Sequence, residues 1–325
     1  MPVNANAVET YNVSTIREDL QEAFVSITPT ETPFMNMIGK DKATATYHEW
    51  HETDLAAVNT SNRTFYGDPA PANDAPTLAV RKGNYVQLSD KVVEVTSTAE
   101  AVDGAADIQK MAKQVSFKLK ELKRDMEAMA LQNVAAASGS SGTAAVSAGL
   151  PAFLTTNVNR GSGGANGTSS GGGGAGYVNA AATDGTLRAL TEDQFKAVIA
   201  SCWEAGAEPT TVMVGALVKQ KISTFTASGT VERTAVADKK QLTAAIDVYV
   251  SDFGTLQIIP NRFQRARDVF VLDPDYIAVS FLSNVKQEPL AKTGHSERRL
   301  ISTHWTLKVE SQKAQGLIAD INGAL

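Results

Sequence analysis

The chain has 325 residues, 43% of them hydrophobic and 20% charged, with a formal net charge of −5. That balance suits a globular chain of about two domains with a sizeable core, and it lacks the basic surplus of a dedicated nucleic-acid binder. The single cysteine, Cys202, rules out an internal disulfide. No window approaches 18 consecutive apolar residues, and the N-terminus has neither the basic start nor the apolar run of a secretory signal, so a soluble protein of a reducing compartment is expected.

Residues 1–43 read as an extended arm. Ile16, Leu20 and Phe24 recur at spacing four and predict a short helix, which Pro29 and Pro33 then break. The arm's scattered apolar residues have no core of their own and need another surface. From Thr44 to Thr53 the chain alternates: Thr44, Thr46, His48, Trp50 and Glu52 fall on one side, and Tyr47, Glu49 and His51 on the other. Alternation with Thr, Tyr and Trp predicts a strand. A small, polar stretch with Pro69, Pro71 and Pro76 follows, and alternation resumes in NYVQLSDKVVEVTST. Two alternating runs joined by such a stretch predict a long two-stranded excursion, too poor in apolar groups to stand alone.

Residues 105–134 predict the main helix. Ile108, Met111, Val115, Leu119, Leu122, Met126 and Met129 recur at spacings of three and four, and Asp103 or Asp107 would cap the start. Its length would be roughly 40 Å. Lys118, Lys120, Lys123 and Arg124 form a basic flank read as a solvated or interface face. Residues 138–186 are rich in Gly and Ser and predict a mobile surface loop around the apolar patch LPAFLTT. Removing 158–176 is therefore expected to leave stability almost unchanged.

After residue 187 the pattern is mixed. LTEDQFKAVIASCWEAG predicts a helix with a Thr191–Gln194 capping box, a stop at Gly206, and a buried stripe of Phe195, Val198, Ile199, Cys202 and Trp203. Beyond it come a strand (TTVMVG), a helix (ALVKQKISTF), a hairpin turning at Asp252-Phe253-Gly254, two strands around Asp273-Pro274-Asp275, a long strand (RRLISTHWTLKVES) and a last short one.

Three patterns invite a chemical reading. HEWHETD holds His48, His51 and three carboxylates, but the metalloprotease pattern H-E-x-x-H requires a helix and one more residue between the histidines. On a strand His48 and His51 point to opposite faces and cannot chelate one ion. Gly167–Gly171 matches G-x-S-x-G, yet the nucleophile elbow needs a strand before and a helix after, and here the surroundings are Gly and Ser. Cys202 falls on an apolar stripe, where a thiol is inert. A metal-dependent or serine hydrolase using His48/His51 or Gly167–Gly171 is the competing reading; no catalytic, cofactor-binding or metal residue is assigned.

The order of parts resembles the major capsid protein of tailed bacteriophages, an α+β chain of the Hong Kong 97-type capsid fold. The phrases TPFMNMIGK, YHEWHETDLA, ELKRDMEAMAL, VYVSDFGTLQIIPNR, VFVLDPDYIAVSFL and LAKTGHSERRLISTHWTLKVESQKAQGLI resemble the group with a phage-SU-ten-like major capsid protein. The likeness covers nearly the whole chain except 138–186. It implies an N-terminal arm at 1–43 and an extension loop at 44–92. A peripheral domain with a spine helix would combine 93–137 and 267–311. An axial domain would combine 187–266 and 312–325. It further implies self-assembly into hexamers and pentamers of an icosahedral shell around packaged double-stranded DNA. Implied partners are a portal and separate scaffolding or decoration proteins, with weak non-specific DNA contact and no membrane. The place would be the virion capsid, assembled in the host bacterial cytoplasm. Candidate inter-subunit contacts are Trp50, His51, Arg63, Phe65, Tyr66, Arg81, Lys82, Lys118, Arg124, Arg298 and Arg299.

Overall fold

The computed structural model describes residues 28–63, 66–67, 74–102, 107–171, 174–225, 248–292 and 294–322. In chain order the first half holds α1 (Pro33–Met37), β1 (Gly39–Lys42), β2 (Tyr47–Glu52), β3 (Val80–Tyr85), β4 (Gln87–Thr96), α2 (Ser97–Ala101), α3 (Met111–Ala130), α4 (Leu150–Phe153), β5 (Asn157–Asn159), β6 (Thr168–Ser169) and β7 (Val178–Ala180). The second half holds α5 (Glu192–Glu204), β8 (Thr211–Val214), α6 (Ala216–Ile222), β9 (Val248–Ser251), β10 (Gly254–Pro260), β11 (Val269–Leu272), β12 (Ile277–Pro289), β13 (Ser296–Val309) and β14 (Gly316–Ile318). The helix predicted around Ile16–Phe24 lies outside the described residues.

Two sheets organise the chain. A four-stranded sheet runs β1-β12-β13-β4, antiparallel except for the parallel β1–β12 pair. A six-stranded mixed sheet runs β5-β14-β11-β8-β10-β9. On β4 the alternation of side chains across the pleat buries Gln87, Ser89, Val93 and Val95 and exposes Leu88, Asp90 and Glu94. The buried side meets α3: Val93, Val95 and Ile301 pack with Met111, Val115 and Leu122. One face of the six-stranded sheet is covered by α5 and α6, through Phe195, Val198, Ile199, Cys202, Val218 and Ile222. Its other face presents Met213, Phe270 and Leu317 to a central core shared with Met126, Trp50, Trp305 and Leu150.

Several expectations change. The main helix starts at Met111, not near residue 105, and spans 20 residues, about 30 Å rather than 40. Asp107 does not cap it: its φ of 50° is left-handed, and the Met111 N–H is met instead by the Glu100 carboxylate from α2 at 2.9 Å. Leu119 is 40% exposed, off the buried stripe. Trp203 also leaves its predicted stripe. It sits in the last turn of α5, 51% exposed, and stacks on Phe253 at 5.1 Å.

The largest correction concerns 138–186, which is not a mobile surface loop. Leu150, Pro151, Ala152, Phe153 and Leu154 are buried in the central core, and Asn157–Asn159 pairs with Gly316–Ile318 as an edge strand. The glycines act by close approach. A Cβ at Gly149 would sit 1.9 Å from the Gln132 carbonyl oxygen, and one at Gly167 would sit 2.5 Å from that of Ala152. Deleting 158–176 would remove part of a sheet and is now expected to destabilise the fold. Strand β11, at 269–272, belongs to the six-stranded sheet, and residues 87–92 belong to the four-stranded one.

Candidate assembly surface

Strands β2 and β3 form an antiparallel pair in which Tyr47 faces Tyr85 and Glu52 faces Val80. The alternation predicted for β2 puts Trp50 inward, at 6% exposure, against Phe153 with ring centroids 6.2 Å apart. His48 shares that inward side and His51 points out. The two histidines cannot bind one ion, as the strand geometry predicts. Burial, helped by the Lys308 charge, holds the His48 pKa below its usual value.

The other chemical patterns resolve locally. Thr168–Ser169 of the G-x-S-x-G match is a two-residue strand paired with β7, without the strand–turn–helix of a nucleophile elbow. Ser170 Oγ is taken up accepting the Tyr177 N–H at 3.1 Å. Cys202 is fully buried beneath β14, and burial pushes its thiol up to about 12, which leaves almost no thiolate at neutral pH.

The base of the hairpin is tied down by the chain's own insert. Gly176 exchanges backbone hydrogen bonds with Arg81 and Gly83, at 2.8 and 3.0 Å. Tyr47, Tyr85 and Tyr177 form an aromatic cluster with centroids 4.8 to 6.3 Å apart. Below them Asn84 is fully buried. Its amide donates to Ser147 Oγ at 3.0 Å and to the Leu307 carbonyl at 2.8 Å, and its oxygen accepts the Ala148 N–H at 2.9 Å. One residue thus joins the hairpin, the insert and β13.

Beyond that base the chain changes character. Between Thr53 and Ala79 the described residues form no helix or strand. They expose Leu55 (89%), Val58 (92%), Tyr66 (109%) and Leu78 (76%). A stem paired along its strands and tied to the insert therefore carries a long segment whose exposed large apolar groups have no cover among the described residues of their own chain. Apolar groups gathered in this way mark an interaction surface.

The eleven contact candidates fall into three sets. Trp50 and Lys82 need correcting: Trp50 lies in its own chain's core, and Lys82, 8% exposed, is paired with Glu52. Strand alternation turns both inward. His51, Arg63, Tyr66 and Arg81 are exposed on the excursion and its stem, Arg81 holding Glu49 at 2.8 Å; Phe65 lies outside the described residues. Lys118, Arg124, Arg298 and Arg299 lie apart, on α3 and β13. Lys118 pairs with Glu121 at 2.8 Å, Arg298 with Glu94 at 3.4 Å and Arg299 with Glu297 at 2.9 Å.

Sequence reasoning missed the buried polar joints. Glu127, fully buried on α3, accepts the backbone N–H groups of Phe34 and Met35 at 2.9 and 2.8 Å and the Asn261 amide at 2.6 Å. Asp320, with a left-handed φ of 63°, accepts the Gly161 N–H at 2.9 Å and Arg267 at 2.6 Å. The one local hint was a carboxylate placed next to Met126 on an apolar stripe.

Two sheets bridged by one long helix, with a stem-and-excursion projecting from them, define an α+β chain of the Hong Kong 97-type capsid fold. A chain from Mycobacterium phage Bobi superimposes with a TM-score of 0.62 at 8% identity, covering 98% of this chain and 100% of its own. The capsid of a native GTA particle does so with a TM-score of 0.61 at 11% identity, covering 99% and 100%. At such identities the likeness is one of fold. Residues 4–322 match the SU10 major capsid protein family, and the chain belongs to it. The major capsid protein of Escherichia phage Phieco32 is 31% identical over 109 residues, which is 34% of this chain and 31% of that relative's length.

Proposed function

We propose that this chain is the shell-forming subunit of a tailed-phage head, assembling as hexamers and pentamers into an icosahedral capsid around double-stranded DNA. One observation carries the reading: the 53–79 excursion bears Leu55, Val58, Tyr66 and Leu78 nearly fully exposed on a stem locked to the body. Covering them on a neighbour would contribute roughly 25 cal/mol per apolar Å² before ordering costs, a modest gain that a closed shell repeats at every contact. Family membership supports a structural rather than catalytic role.

We read the division of labour along the two sheets. The arm is the segment ahead of β1, and the extension loop is the β2–β3 stem with its excursion, 47–85. The peripheral part is the four-stranded sheet with α3, and the axial part is the six-stranded sheet with α5 and α6. The 138–186 segment joins the two rather than standing apart. His51, Arg63, Tyr66 and Arg81 are the contact residues on the loop. Portal, scaffolding and decoration proteins are further partners, and assembly takes place in the host bacterial cytoplasm.

Replacing 55–78 by a short turn tests this. The expected product is a folded chain with unchanged circular dichroism and no shells by electron microscopy. The milder set Leu55→Ser, Val58→Ser and Leu78→Ser, which keeps the loop, is expected to lose shells as well. Normal shells from both would overturn the reading.

A further inference from the structure

The solvent face of α3 carries a charge pattern that the shell reading leaves unused. At about 100° per residue, Lys113, Lys120, Lys123 and Arg124 fall within an arc of about 100°. That arc lies opposite the buried stripe of Met111, Val115, Leu122 and Met126. Lys113, Lys120 and Lys123 are exposed, and Arg124 is half-buried.

The acids of the same helix are all engaged elsewhere. Glu121 is held by Lys118 at 2.8 Å, Asp125 by Lys91 at 2.6 Å, and Glu127 points into the core. Lys123 donates to the amide oxygen of Asn36 at 2.7 Å. Lys120 and Arg124 have no ion pair among the described residues. A chain of net charge −5 thus gathers several cations on one helical ridge about 16 Å long.

We propose that this ridge is a sequence-independent contact for the phosphate backbone of duplex nucleic acid. A duplex offers one negative charge per roughly 1.7 Å of axis, so a ridge of this length meets several phosphates at once. Lysines carry compact point charges rather than a fork that reads a base edge, and so suit backbone contact rather than base readout. A few cations give weak, salt-sensitive binding, which holds a polyanion without fixing it. The inference rests on the shell reading only in making packaged DNA the natural polyanion.

The test compares the full-length, unassembled chain with its Lys120→Gln/Lys123→Gln/Arg124→Gln variant, titrating a short fluorescent duplex across a salt series. The slope of log Kobs against log[salt] is expected to become shallower by about 0.9 for each cation removed, up to about 2.7 in all. Duplexes of different sequence should behave alike, and Lys286→Gln/Lys292→Gln should leave the slope unchanged. If the triple variant folds poorly, Lys120→Gln/Arg124→Gln, which keeps the Lys123–Asn36 bond, should still lower the slope by about 1.8. An unchanged slope, or no duplex binding by the parent chain at low salt, overturns the proposal. Loss of shells with an unchanged slope would instead assign the ridge to contact between subunits. Normal shells with a reduced slope support the proposal separately from the shell reading.

Discussion

Glu127 and Asn261 meet at 2.6 Å in the interior, one from the last turn of the long helix and the other from just after β10 of the six-stranded sheet. The same carboxylate receives the N–H groups of Phe34 and Met35, which open the short helix α1. Three parts distant in sequence thus converge on one side chain. Burial raises the Glu127 pKa, and the hydrogen bonds from Met35, Phe34 and Asn261 oppose that rise.

Glu127→Gln is expected to cost about 2–3 kcal/mol, because the amide keeps one acceptor and turns a donor toward groups that already donate. Urea unfolding followed by circular dichroism measures it. Asn261→Ala should cost less, and the double variant should cost less than the sum, since both remove the same bond. A change below about 0.5 kcal/mol in Glu127→Gln would mean the joint is not a structural tie.

Asp268 gives a pH prediction. Its side chain is buried; Arg265 lies 3.2 Å away without hydrogen-bonding geometry, and Arg265 also holds Asp184. Burial pushes its carboxyl up to about 6, against the attraction of Arg265. The folded state therefore binds this proton more tightly than the unfolded chain. Its contribution grows as pH falls from above 6 toward the unfolded value and is lost as pH rises through 6. Asp268→Asn should remove that dependence. The stability difference between parent and variant should shift by on the order of 2 kcal/mol between neutral pH and about pH 4, in favour of the parent at low pH. A difference that stays constant across the series would contradict an ionised Asp268 in the interior.

The insert's glycines can be told apart by a single methyl group. Gly149→Ala is expected to cost about 3 kcal/mol or more, since its Cβ would meet a backbone oxygen that has no free end to move. Gly142→Ala, with nothing within 4 Å, should stay within about 0.5 kcal/mol. Thermal unfolding of the two variants separates a packed insert from a slack one. Equal melting temperatures would restore the surface-loop expectation.

Local chemistry was readable wherever one stretch of chain suffices. The Thr191–Gln194 capping box forms on α5, and Asp273 accepts the Asp275 N–H at 3.2 Å in its turn. Alternation in TYHEWHE separated the two histidines, while Trp50, offered as a contact between subunits, proved to be a core residue. Trp203 was misread because helical spacing extends the stripe into the last turn of α5, where the side chain is 51% exposed.

The sequence by itself determined the periodic elements, their order and the excursion's lack of a core, because these follow from side-chain spacing and from how few apolar groups the segment holds. Only the tertiary structure decided that the insert's apolar patch is interior, with Gly149, Gly161 and Gly167 packed against a second backbone, and that Glu127, Asn84 and Asp320 are joints. The reason is physical. A missing Cβ reads as freedom along a chain and as close approach only when a second backbone stands beside it. A buried polar residue is tolerable only once partners far along the chain supply its hydrogen bonds.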